Sequence, residues 1–293
     1  MEALEVIGNF ACEAWDIGSP TSVIDFAGSV DRSVRISTTS GDYFLRIWNP
    51  ARHTDRAVRA RVAAVRHLAW PRVELVVSKN AEEVVQGPQN RPTTLTRAGG
   101  GTWAPIGPVL TPGSDPISSL STRVHFKSVP VVDLPEWRLE YFDTVYSASR
   151  HLLPREYKLL EEALDTLWAG AVTPIVAHGD LSPGNLLRDA FGIRVCDFGH
   201  VGLAPLGLEI GNWCAAWLIR FFPGAESGNV GQVARAKTQE LAAAFGLPAD
   251  EVLAGAAVRI ARGIAMMRNY SHVTNSGESY LKRLRRMLPA IAE

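Results

Sequence analysis

His178-Gly179-Asp180-Leu181-Ser182-Pro183-Gly184-Asn185-Leu186-Leu187, with Asp197-Phe198-Gly199 after it, is the stretch from which the rest of the chain is read. It leaves a short apolar strand at 175–177 and loops through Asp180 and Asn185. A hairpin follows, with arms at 186–187 and 193–196 and a turn at 189–192, and delivers Asp197 twelve residues after Asn185. Phosphoryl transfer to an alcohol needs a carboxylate to orient the hydroxyl and take its proton, oxygen ligands for a metal on the phosphates, and positive charge. Asp180 is the candidate base, and Asn185 and Asp197 are the candidate magnesium ligands. One Asp and one Asn suffice for magnesium, which prefers oxygen donors and keeps several waters. Singly, each of these residues is ordinary loop chemistry. Their spacing between two apolar strands is what argues for a site.

On the N-terminal side, 23–26, 32–38 and 43–48 are β-rich runs separated by turn residues, the pattern of an antiparallel meander. A helix is predicted over 55–69, with Val58, Val62, Val65 and Leu68 on one face and Pro71 as its stop. Two more strands are predicted at 73–78 and 93–97. Gly99-Gly100-Gly101 breaks the pattern and marks the boundary between a domain at 1–98 and one at 99–293. Beyond it helices dominate: 116–129, 136–152, 155–169, 209–221, 231–245, 249–272 and 278–292.

The segment 176–187 with 195–199 resembles the catalytic signature of the aminoglycoside phosphotransferase and homoserine/choline kinase-like superfamily. The resemblance implies an α+β, two-lobed protein-kinase-like fold, with a small antiparallel-sheet N-lobe and a larger, mainly helical C-lobe. It implies ATP and magnesium as cofactors, a small-molecule hydroxyl as acceptor, Asp180 as catalytic base, and Asn185 and Asp197 as metal ligands. His178 matches the family histidine that braces the catalytic loop, a structural role. Pro205 and Glu209 stand where the family often has Pro and Asp, and Glu209 is assigned a structural role at a helix start.

By the same resemblance Ser29 lies in the loop that covers the nucleotide phosphates, and Arg46, on the strand Tyr43-Phe44-Leu45-Arg46-Ile47, contacts them. Arg can grip phosphate through parallel hydrogen bonds. The Glu that usually pairs with this basic residue is absent, and Arg61 aligns there instead. Strand alternation places Leu45 and Ile47 toward the 55–69 helix and Arg46 toward the cleft, held by some other acid such as Asp197 when no nucleotide is bound. Arg52, Arg56, Arg59 and Arg66 form either a solvated helix face or a basic wall. Trp213, Trp217, Arg262, Asn269 and Tyr270 fall on helices that line the acceptor side in relatives, and Trp213, Arg262 and Tyr270 are the candidate acceptor contacts. Sugars, nucleosides, amino alcohols, hydroxy acids and aminoglycoside-like compounds all stay open as acceptors. A nucleotide-binding pseudokinase or regulatory protein is the alternative, motivated by the missing Glu.

Composition bounds the rest. The chain has 293 residues, 46% hydrophobic and 20% charged, which suits a globular protein with a substantial core. With 30 basic and 30 acidic residues the net charge is zero, which argues against nucleic acid as a partner. The cysteines, Cys12, Cys196 and Cys214, have no metal-ligand spacing and read as reduced thiols of a cytoplasmic protein. Glu2, Glu5 and Glu13 exclude a signal peptide over 1–15, and no stretch is long enough to span a membrane, so no membrane partner is expected. A monomer or homodimer is expected.

Overall fold

The computed structural model describes residues 3–26, 31–51, 53–98, 102–103, 117, 152–169, 174–189, 192–221, 230–269 and 275–292. The expected breaks at 99–101 and helices over 116–129 and 136–152 lie essentially outside them. Contacts divide the chain into two compact units. The first holds the described residues within Met1–Ala104 and Leu186–Gly199, and the second those within Pro135–Asn185 and His200–Glu293, with Ile117.

In the first unit, β1 (Pro20–Phe26), β2 (Arg32–Thr38) and β3 (Gly41–Ile47) form the expected antiparallel meander. Thr38 pairs Gly41 across a two-residue turn, and Gly41 has φ 134°, a conformation open to glycine. β4 (Leu75–Val76), β5 (Val85–Gln86) and β6 (Pro92–Arg97) complete the sheet, β6 pairing β3. In β3, Tyr43, Leu45 and Ile47 are buried while Phe44 and Arg46 are half-buried, as alternation requires.

The helix that covers the Leu45/Ile47 face differs from the expectation. It is α1 (Leu4–Ala14), whose Ile7 and Ala11 join Trp15, Val34, Ile36, Leu45, Ile47 and Leu95 in one core cluster. Leu4, Ile7 and Ala11 recur at intervals of three and four, so this helix was legible as an apolar stripe. The expected partner, α2 (Asp55–Ala64), instead packs Val58 and Val62 with Trp48, Val84 and Leu75. Trp48 continues the Phe44/Arg46 face, so α2 lies on Arg46's side of the sheet. α2 also ends sooner than predicted, tightening into a 3-10 turn at Val65–His67. Its start is capped by Thr54, whose side chain accepts from the Ala57 N–H at 3.2 Å.

The hairpin of β9 (Leu186–Asp189) and β10 (Gly192–Val195) belongs to this unit, with β9 also pairing β7 (Thr102–Trp103). Val195 is tied to the stretch before β4 by Val73 N–H to its carbonyl at 3.0 Å and its own N–H to Pro71 O at 2.8 Å.

The second unit contains α3 (Pro154–Leu167), a two-stranded pair of β8 (Ile175–Ala177) and β11 (Gly202–Ala204), and α4 (Leu206–Phe221), α5 (Val230–Phe245), α6 (Ala249–Asn269) and α7 (Asn275–Ala292). α3 opens on Pro154, and the Glu156 carboxylate accepts the Leu153 N–H at 2.8 Å. α4 and α6 approach backbone to backbone: a Cβ at Gly211 would collide with Gly255 and Ala256, and one at Gly255 with Gly207. This close pairing fixes which face of α6 turns outward. Trp213 and Trp217, 0% and 1% exposed, are core residues of α4, so Trp213 sits in helix packing rather than at an open acceptor surface. Among the described residues no helix is long and apolar enough to cross a membrane.

Candidate active site

The catalytic-loop segment is built on buried polar anchors in the second unit. β8 ends at Ala177, and the next residues turn through Gly179, whose φ of 75° favours glycine. Glu209, in the first turn of α4 and 0% exposed, accepts the His178 N–H at 2.6 Å and the Gly179 N–H at 3.0 Å. A buried carboxylate is tolerated because it is so paired. Glu209 is therefore a clamp on the loop, as its position at a helix start implied. His178, also 0% exposed, accepts the Asp180 N–H on Nδ1 at 3.3 Å, and Asn212 donates to Gly179 O at 3.5 Å.

This scaffold leaves the Asp180 side chain 23% exposed. Asn185 turns back and donates from Nδ2 to Asp180 O at 2.8 Å and Oδ2 at 3.2 Å. That fixes the amide's orientation and leaves its Oδ1 as an oxygen donor for a ligand. Arg259 of α6 pairs with Asp180 Oδ1 at 2.6 Å. Nothing in the local sequence around Arg259 announces this contact. Arg262, one turn further along α6 and 7% exposed, has Nη2 3.4 Å from His200 Nδ1. Tyr270 lies outside the described residues, as does the side chain of Asn269.

The first unit carries the other group. Arg46 donates from Nε and Nη2 to Asp31 Oδ2 at 3.0 and 2.6 Å, and from Nη1 to Asp197. Its guanidinium also lies 4.5 Å from the centre of the Trp48 ring. Burial works to lower the Arg46 pKa, but Asp197 and then Asp31 outweigh it and hold it above the ordinary value. Arg46 is thus a permanent cation shared by two carboxylates. Asp31 is 2% exposed and further accepts the Asn49 N–H at 2.8 Å. It supplies the counter-ion that the aligned helix lacks, and the sequence reading missed it. Ser29 lies outside the described residues.

Arg61, where the customary Glu would stand, is 3% exposed and donates to Gly199 O at 2.7 Å. The helix therefore grips the Asp197-Phe198-Gly199 turn through a carbonyl rather than through an ion pair with Arg46. Asp197 itself has φ 67°, a left-handed conformation that Asp tolerates better than most residues. Its Oδ1 accepts the Gly199 N–H at 3.2 Å, and its side chain is 46% exposed. A Cβ at Gly199 would run into the Arg46 guanidinium, so glycine there is what lets Arg46 reach Asp197.

On the same face of the sheet as Arg46 stand Ile24, Phe26 and Phe44. The register Phe26↔Ser33↔Arg46 and Ile24↔Arg35↔Phe44 aligns them. Phe26 and Phe44 are in ring contact at 5.8 Å, yet Phe26 is 43% and Ile24 48% exposed. An open apolar platform beside a cation suits a flat, apolar-faced ligand that carries negative charge.

Residues 120–245 match the phosphotransferase enzyme family. The fold is found again in the amicoumacin kinase solved with AMP-PNP, Ca2+ and amicoumacin (TM-score 0.68, 13% identity, 95% of this chain and 90% of that one). The chain shares the fold of that kinase. A microcompartment-associated aminopropanol kinase is similar as well (TM-score 0.66, 16% identity, 95% and 93% covered). So is the spectinomycin phosphotransferase solved with ADP and spectinomycin (TM-score 0.59, 14% identity, 98% and 94% covered). No curated protein matches the chain in sequence.

Cys12, Cys196 and Cys214 are all thiols, outside any disulfide. Cys196, next to Asp197, is pushed up to about 12, first by burial and then by the Asp197 charge. Its thiol is protonated, and inert as a nucleophile, at any physiological pH. Alkylation of Cys196 in the native protein should therefore keep accelerating as pH rises beyond the ordinary thiol value of 9.0. Site-resolved mass spectrometry of iodoacetamide labelling checks this, and a plateau near that pH would show an unshifted thiol.

Proposed function

We propose that this protein transfers the γ-phosphoryl group of ATP, with magnesium, to a hydroxyl of a small molecule. The observation that carries the reading is Asp180: a part-exposed carboxylate on a loop whose backbone is clamped from within by buried Glu209. A base held this rigidly can meet an acceptor hydroxyl in one geometry. In the step, the acceptor O–H proton passes to Asp180, the acceptor oxygen bonds to the γ-phosphorus, and the bond to the β-bridging oxygen breaks with ADP leaving.

Asn185 and Asp197 each offer a donor suited to magnesium: the first an amide oxygen left over when its nitrogen is engaged, the second a half-exposed carboxylate. When bound, the ion would neutralise phosphate charge. Ile24, Phe26 and Phe44 are assigned to the nucleobase and Arg46 to the phosphates, with Ser29 in the phosphate loop by resemblance. Arg46 already has a second anion, Asp197, within its grasp. With nucleotide and metal bound, Asp197 would serve the metal and Arg46 Nη1 would be released to a phosphate, while Asp31 keeps its hold on Nε and Nη2.

Magnesium-dependent ATP turnover against a panel of hydroxylated metabolites tests the reading. No turnover with any acceptor, despite nucleotide binding, would favour a regulatory protein. Within the same assay, Asp197→Ala should weaken magnesium-dependent nucleotide binding more than Asn185→Ala, because a carboxylate brings charge to the metal and an amide does not. Calorimetry at fixed magnesium reads the order, and its reversal means the two ligand roles are exchanged.

A further inference from the structure

In the second unit Asp180 faces a cation. Arg259 Nη2 is 2.6 Å from Asp180 Oδ1, and the two side chains are 24% and 23% exposed. Arg262 follows three residues later on the same helix face, with His200 Nδ1 3.4 Å from its Nη2. Glu209, a further acid at this loop, is 0% exposed and both its oxygens accept backbone N–H groups of the loop. The carboxylate that would take the acceptor's proton is thus bordered by the Arg259 guanidinium.

That arrangement constrains the acceptor. Its hydroxyl must come within about 3 Å of an Asp180 oxygen. It then sits roughly 5–6 Å from the Arg259 charge, close enough for one unit charge on the acceptor to change affinity by about tenfold or more. A cationic amine placed against Arg259 is repelled. A carboxylate or phosphate in that place is attracted, and it has a second effect. It draws Arg259 off Asp180 Oδ1 and leaves that oxygen to receive the hydroxyl proton.

We propose that Arg259 makes the acceptor site select alcohols that carry an acidic group a few bonds from the reacting hydroxyl, and reject amino alcohols. The inference rests on the reading of Asp180 as the base and adds the substrate class to it. It separates this chain from the similar aminopropanol kinase, whose acceptor is an amino alcohol by name.

The test uses a matched set differing only in the group beside the diol: glycerate, glyceramide and 3-amino-1,2-propanediol. With the full chain, magnesium and ATP, kcat/KM should fall in that order, acid over amine by about tenfold or more. Arg259→Gln should collapse that ratio toward one while leaving magnesium-dependent ATP binding by calorimetry unchanged. Arg259→Lys, which keeps the charge, should retain part of it. A ratio unaltered in Arg259→Gln, a preference for the amine in the parent, or an acid neither turned over nor bound at millimolar concentration by ligand-observed NMR each overturns the proposal. If magnesium-dependent nucleotide binding is itself absent, the phosphotransfer reading fails and this inference goes with it. If nucleotide binds and the amine is preferred, the inference alone fails.

Discussion

Replacing Asp180 with Asn should cut turnover by a factor on the order of 10² or more and leave ATP binding nearly unchanged. The side chain keeps its size, so the loop keeps its anchors: Glu209 holds the His178 and Gly179 N–H groups, and His178 holds the Asp180 N–H. Asn185 also keeps its bond to the Asp180 carbonyl at 2.8 Å. What is lost is the group proposed to take the acceptor's proton, together with the partner of Arg259. Steady-state kinetics alongside calorimetry separate the two effects. An Asp180→Asn enzyme with parental turnover would remove this residue from the mechanism.

Arg46→Ala should raise the apparent KM for ATP by roughly tenfold or more, on the scale of about 1.5–3 kcal/mol for a hydrogen bond to a charged group. The structure adds a partner to this expectation. Arg46 is aimed by Asp31, which takes two of its nitrogens and is itself 2% exposed. Asp31→Asn should therefore also raise KM for ATP, by less than Arg46→Ala, with kcat changed little. The guanidinium remains but is no longer held. Arg46→Lys should recover only part of the loss, because one ammonium cannot span Asp31 on one side and a phosphate on the other. Parental ATP affinity in Arg46→Ala means that the nucleotide site must be redrawn away from β3.

Much of this site was legible in the sequence, for local reasons. The loop from His178 to Asn185 and the hairpin to Asp197 follow from turn chemistry and short spacing, whereas a structural role for Glu209 came from the family resemblance. Alternation alone separated Arg46 from Leu45 and Ile47. Asp31 was within reach of the same reasoning. A two-residue turn pairing Thr38 with Gly41 sets Ser33 opposite Arg46, which puts Asp31 diagonally beside Arg46 on the same face. The helix at Leu4–Ala14 carries an apolar stripe of helical period, but nothing within that stripe names the sheet face it covers.

What the sequence determined by itself is which chemical groups the chain owns and the order of strand, loop and hairpin that presents them, because such patterns depend on neighbours a few residues apart. The tertiary structure decided which charges meet. Arg46 finds Asp197 across 151 residues, and Arg61 finds the Gly199 carbonyl across 138. Arg259 finds Asp180 because Gly207, Gly211 and Gly255 let α4 and α6 close to backbone contact and so set the rotation of α6. Pairings of this kind depend on how whole helices pack and turn, a property that no local window of sequence contains.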